Sequence, residues 1–107
     1  MAVSDEQIDF VSDLFSGLGP VSTRRMFGGL GIYCDGTIFA LLMSDGSVRL
    51  KGAGDMPAAY EAEGWLPWTY TRKDGAASSM PYWIMPEALL DDPDAASDWA
   101  RRALAAL

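Results

Sequence analysis

The apolar positions of this chain follow two different periods. Ile8, Val11, Leu14, Phe15 and Leu18 recur every three or four residues and make one stripe, which predicts a first helix. Ser4, with Gln7 three residues on, forms a capping box at its start. Asp5 and Glu6 fall in its first turn, where the helix dipole favours acids. Gly17 or Gly19 can close it, and Pro20 prevents its continuation. Ala96, Trp99, Ala100, Ala103, Leu104 and Leu107 keep the same spacing behind an Asp92-Pro93 cap and predict a last helix, with Arg101 and Arg102 near its C-terminus.

The middle of the chain has strand character. Residues 21–33 form one long extended stretch interrupted by Gly28-Gly29, and paired glycines in a strand suggest a bulge or a sharp bend. Asp35-Gly36 is a two-residue hairpin signal before the apolar run 37–43. Residues 44–47 make another turn before 48–51, giving a three-stranded antiparallel meander. A short helix follows, capped by Asp55, with Pro57 in its first turn and Gly64 at its end. Two more strands, over 65–71 and 80–85, flank a Lys73-Asp74-Gly75 turn. Pro81 has no amide hydrogen, which places its strand at an edge or in a bulge. Pro86 opens a helical turn that reaches Leu90. The expected fold is α+β and two-layered, an antiparallel five-stranded sheet with helices in the order α-β-β-β-α-β-β-α, as a single domain over residues 1–107.

The strand 37–43 is apolar on both faces, so both need cover. Two readings stand: helices on one side with loops on the other, or burial of the second face in a homodimer. A homodimer is the expectation carried forward.

Composition narrows the function classes. The chain has 107 residues, no His and one Cys. Without His there is no Ser-His-Asp triad, no Cys-His dyad and no HExxH zinc site. No side chain has an unperturbed pKa near neutrality. One Cys makes neither an internal disulfide nor a CxxC motif, so a reducing cytoplasm is the expected location. No apolar run reaches about 18 residues, so no membrane helix is expected. The acidic start Met-Ala-Val-Ser-Asp-Glu differs from the basic start of a signal peptide. No catalytic residue, metal or cofactor is expected.

The formal net charge is −7, and it is unevenly spread. Residues 1–20 carry −4 and residues 76–107 carry −3, while residues 21–75 are neutral and hold six of the eight bases. The overall field repels phosphate backbones, so direct DNA binding is not expected. An anion or partner site belongs on the sheet. The candidates are Arg24, Arg25, Gly28, Gly29, Arg49 and Lys51. In Arg24-Arg25-Met26-Phe27-Gly28-Gly29, two guanidiniums stand beside backbone that can approach a ligand closely. The structural reading of the same string is favoured: a bend at the glycines, Phe27 in the core and one Arg paired with a carboxylate. Arg49 and Lys51, two apart on a strand, share a face, and Arg25 could join them if its strand lies near. Trp65, Trp68, Tyr70, Tyr82 and Trp83 beside Arg72 and Lys73 could stack bases, but core aromatics are the favoured reading. Cys34 has no neighbouring cation in sequence to lower its pKa and is expected to be a small core residue.

Several strings in order resemble the TfoX N-terminal domain family, which includes the competence regulator also called Sxy. Arg25-Met26-Phe27-Gly28-Gly29 with Gly31 and Tyr33 resembles its R-M-F-G-G-x-G-x-Y signature. Gly36-Thr37-Ile38-Phe39-Ala40-Leu41 resembles the strand that follows. Leu50-Lys51 is similar to an aromatic-Leu-Lys ending, with Arg49 in the aromatic's place. Trp68-Thr69-Tyr70, Met80-Pro81-Tyr82, Pro86, Leu89-Leu90-Asp91 and Trp99-Ala100 extend the likeness over about residues 5–105. The resemblance implies a bacterial protein with a secretion-chaperone-like two-layer fold, whose relatives often dimerise. Full-length competence regulators carry a further helical domain and work with the cyclic-AMP receptor protein at promoters, which implies a role through protein contacts. The expected function is a non-catalytic interaction module in transcription or competence regulation. The alternative is a small anionic-ligand-binding or weakly enzymatic domain using the basic residues of the sheet, with nucleic-acid binding behind both.

Overall fold

Helix α1, Asp5–Leu14, begins at the expected capping box: the Gln7 amide donates to Ser4 Oγ at 3.2 Å, and the Ser4 amide donates to Gln7 Oε1 at 2.8 Å. The computed structural model describes residues 3–26, 29–71, 73–75 and 77–107. A 3₁₀ turn at Ser16–Leu18 follows, ending at Gly19. The strands are β1 (Ser22–Met26), β2 (Gly29–Cys34), β3 (Thr37–Leu42), β4 (Val48–Lys51), β5 (Leu66–Thr71) and β6 (Ala77–Ile84). Helix α2, Met56–Ala62, separates β4 from β5. Helices α3, Glu87–Leu90, and α4, Pro93–Ala105, close the chain.

The sheet has six strands, not the expected five. Residues 21–33 are two strands, because the chain reverses between Met26 and Gly29, which pair with each other. A single strand of that length would span about 43 Å, more than the molecule's longest dimension of 41 Å. The chain therefore reverses fully between Met26 and Gly29 rather than bending. Phe27, Gly28 and Arg72 lie outside the described residues. Asp35 and Gly36 both have positive φ, 51° and 79°, as the tight β2–β3 turn requires.

The strand order is β1-β2-β3-β4-β6-β5, antiparallel at every pairing. The meander from β1 to β4 is sequential, and then the order changes. β5 runs parallel to β4 two places away, and β6 fills the gap. A parallel connection needs a crossover of about a dozen residues, and the segment 52–65 with α2 supplies it. β6 is therefore an interior strand. Pro81 falls within the register shift between Pro67↔Trp83 and Thr69↔Ser79, so the bulge takes the residue that has no N–H to give.

Strand alternation divides the residues between two faces. Leu30, Ile32, Ala40, Leu42, Val48 and Leu50 face the helices and form the core with Val11, Leu14, Phe15, Tyr60, Ala96 and Ala100. Phe39 is the extra residue of a bulge opposite Ile32/Tyr33, which turns it into this core, where its ring meets Phe15 edge-on at 5.2 Å. α4 presents small residues, Ala96, Ala100 and Ala103, to its neighbours, which brings its backbone close. Buried Ser97 donates to the Leu14 carbonyl at 3.1 Å, and Arg101 donates to the Gly17 carbonyl at 2.7 Å, tying α4 to the end of α1. Cys34 packs partly buried against this core. Among the described residues, no helix is long and apolar enough to cross a membrane.

Candidate functional site

Among the described residues, no helix covers the second face of the sheet. Register places Arg24, Gly31, Leu41 and Arg49 in one row across β1 to β4, with Met26, Ile38 and Tyr82 on the same side. A cavity of about 380 Å³ opens there, and its walls include Met26, Ile38, Leu41, Met43, Trp68 and Met80. Its lining draws on β1 and on β5, the two edge strands. In a flat six-stranded sheet those edges lie about 24 Å apart, so the sheet must curl for one cavity of this size to touch both. Two register shifts, at Ile32/Tyr33 and at Pro67/Thr69, supply the local bending.

Trp68 sits in the second of these irregularities and reaches back over the concave face. Its ring meets Tyr82 at 6.4 Å and lies 4.4 Å from the Arg49 guanidinium carbon. Together with its neighbours it leaves Leu41 only 9% exposed. The two-sided apolar pattern of β3 is thus answered by helices on one side and by the molecule's own curled edge on the other. That pattern by itself does not require a second copy.

Arg49 is the cation of this face that Trp68 covers; Arg24 and Lys51 share the face. The Arg49 Nε and Nη1 are buried without a hydrogen-bond partner. Burial pulls the guanidinium below its ordinary pKa, and the Asp45 carboxylate opposes this. Asp45 accepts hydrogen bonds from the Ser47 amide at 2.9 Å and hydroxyl at 2.7 Å, which hold its own pKa down. It acts on Arg49 through space only.

The other sequence candidates separate. Arg25 points to the helix face, where it donates to the Val3 carbonyl and pairs with Asp5 at 3.1 Å. It fastens the N-terminal segment to β1, the structural role favoured from the sequence. Arg24 shares the concave face with Arg49 but lines a separate depression with Ser22, Thr23, Tyr33 and Gly36. Lys51 stands one step along from Arg49, opposite Tyr82. Gly29 is buried, and a Cβ there would meet the Leu42 carbonyl oxygen at 3.0 Å. Gly28 lies outside the described residues. A joint patch of Arg25, Arg49 and Lys51 therefore does not form. Of the aromatics, Trp65 and Trp83 join Tyr60 and Trp99 on the helix side, while Trp68 and Tyr82 serve the concave face.

A family model of the TfoX N-terminal domain matches residues 13–107. The chain belongs to the TfoX N-terminal domain family. No curated protein matches it in sequence. The TfoX N-terminal domain match spans every strand, both edges of the cavity and all of α4. What the sequence search for cations passed over in this TfoX N-terminal domain is the apolar wall. Three of its six methionines, Met26, Met43 and Met80, surround the cavity, and methionine adapts its shape to irregular contacts. Those three, with a strand apolar on both faces, were the available signal.

Proposed function

We propose that this domain is a non-catalytic interaction module with a regulatory role in transcription or competence, and that the concave face of its sheet is the working surface. The observation that carries the proposal is the apolar cavity on a face without helices. A preformed concavity with an apolar wall is the usual shape of a binding site. Membership of the TfoX N-terminal domain family supports the regulatory part. The net charge of −7 supports contacts with protein over contacts with a phosphate backbone.

Affinity capture from the native cell tests this, using Ile38→Glu and Met43→Glu on the concave face and Glu63→Lys on an exposed loop after α2. Both face positions are only half-buried, so a carboxylate there can reach water. A partner enriched by the unmodified domain should be lost at least about tenfold with either face variant, as for a residue in an interface centre. It should be retained with Glu63→Lys. Undiminished capture by both face variants, with native circular dichroism, would place the working surface elsewhere. A second reading, a small anionic ligand held on the sheet, is favoured by the unpartnered Arg49 nitrogens.

A further inference from the structure

We propose that the cavity of the concave face takes an uncharged aromatic molecule of about two fused rings. This rests on the reading of that face as the working surface. Among the described residues, nine line the cavity and none carries a charge. Arg24, Arg49 and Lys51 share the face, and each stands outside that wall. Arg24 lines a separate depression, Arg49 lies against the Trp68 ring, and Lys51 sits on β4 opposite Tyr82. A charged group carried into the cavity would therefore lose its water without gaining a partner from the wall. Tyr82, a titratable residue of the wall, stays neutral, since burial raises its phenol pKa.

Size and softness narrow the class further. An apolar cavity of about 150 Å³ holds benzene, and this one, at about 380 Å³, has room for a larger guest. A phenylalanine ring from a partner protein is benzene-sized and would leave more than half of the space empty. The wall draws on both edge strands, so the curled sheet closes around a separate molecule. Met26, Met43 and Met80 stand about the space with the rings of Trp68 and Tyr82. Thioethers adapt to an irregular outline and gain attraction from an aromatic ring about 5 Å away. Rings add offset or edge-on contacts with a second ring. An aliphatic guest of equal bulk would fill the space without either gain. Gly29 opens the floor. Register sets Met26 opposite it, and a Cβ there would lie 3.6 Å from Met43 Sδ. The two methionines thus flank a position without a side chain, and a flat ring can slide between them.

The test is an NMR titration of the whole ¹⁵N-labelled chain at neutral pH with 2-naphthol, 1-adamantanol and 2-naphthoate. The two alcohols hold equal numbers of carbon and oxygen atoms and differ in aromaticity, while the naphthoate adds a charge. 2-Naphthol is expected to shift the amides of Gly29, Leu30 and Leu41. It should bind about tenfold more tightly than 1-adamantanol, the combined effect of several thioether contacts. It should also bind about tenfold more tightly than 2-naphthoate, whose carboxylate finds no partner in the wall. Met26→Leu, Met43→Leu and Met80→Leu in one chain keep the bulk and remove the thioethers. The preference for 2-naphthol over 1-adamantanol should then shrink severalfold while 1-adamantanol still binds. If that chain loses the native spectrum, each single variant should reduce the preference by about twofold. Equal binding of the two alcohols, tighter binding of 2-naphthoate, or shifts that map away from the cavity would overturn the proposal. Failure of all three ligands would overturn the proposed occupant while leaving the working surface to stand or fall with Ile38→Glu and Met43→Glu in partner capture.

Discussion

Tyr60→Ala is expected to lose about 4 kcal/mol of folding stability, the usual cost of truncating a buried aromatic. Tyr60 is fully buried on α2 and is the hub of an aromatic cluster. Its ring stacks on Trp65 at 4.5 Å and meets Trp83 and Trp99 at 5.7 Å each. Its hydroxyl donates to the Lys51 carbonyl at 2.9 Å, joining α2 to the end of β4. Such a loss is large against a total of about 5–15 kcal/mol for a domain of this kind. Urea unfolding followed by tryptophan fluorescence measures it. Tyr60→Phe keeps the ring and loses only the hydrogen bond, so about 1–2 kcal/mol is expected. A loss with Tyr60→Phe equal to that with Tyr60→Ala would mean that the hydroxyl, not the packing, carries the effect.

The same residue sets an alkaline limit. Burial raises the Tyr60 phenol above its ordinary pKa of 10.0, against a smaller opposing pull from Arg102. The folded state therefore favours the neutral phenol. Below pH 10.0 the phenol is neutral in both states, and its contribution to stability is fully present. Above that pH the unfolded chain ionises first, and stability falls as pH climbs towards the raised folded-state pKa. Tyr82, raised by burial and then by Tyr33, adds a drop of the same sign. Between about pH 8 and about pH 11 the unfolding midpoint should fall, and Tyr60→Phe should fall less, keeping the Tyr82 share. Parallel declines in the two proteins would remove Tyr60 as the cause.

What was legible in the sequence was local. The capping box at Ser4, the Asp35-Gly36 turn and the Asp92 cap depend on residues within three positions of one another, and each forms as expected. The opposite directions of Arg24 and Arg25 also follow from strand alternation, so the separation of the cations was within reach. The strand reversal was harder, because paired glycines suit a bend as well as a hairpin, and only pairing across 22–33 decides. The position of β6 between β4 and β5 is non-local and left no local mark. The cavity lay furthest from view. It exists because two bulges curl the sheet until Trp68 covers Arg49 and Met80 approaches the wall begun by Met26, and no short pattern encodes that curvature.

Gly52→Ala should lower stability by about 2 kcal/mol, although the backbone there accepts any residue. Gly52 leaves β4 towards α2, and its amide donates to the Pro81 carbonyl at 2.9 Å. A Cβ at this position would stand 2.6 and 2.8 Å from two carbons of the Trp83 ring and 3.2 Å from Tyr60. The ring has little room to retreat, since it packs on Tyr60 and its Nε1 donates to Glu61 at 3.1 Å. Two effects oppose each other. Replacing Gly by Ala where φ permits stabilises by about 0.4–1 kcal/mol through the unfolded chain. Overpacking against a fixed ring costs about 3 kcal/mol, so the clash wins. The melting temperature should fall by about 10 °C. Trp83→Leu removes the obstructing ring, and the double variant separates the causes. If the clash dominates, Gly52→Ala becomes neutral or stabilising in the Trp83→Leu background, with a coupling of at least about 2 kcal/mol. Additive losses would instead locate the penalty in the backbone of the β4–α2 junction.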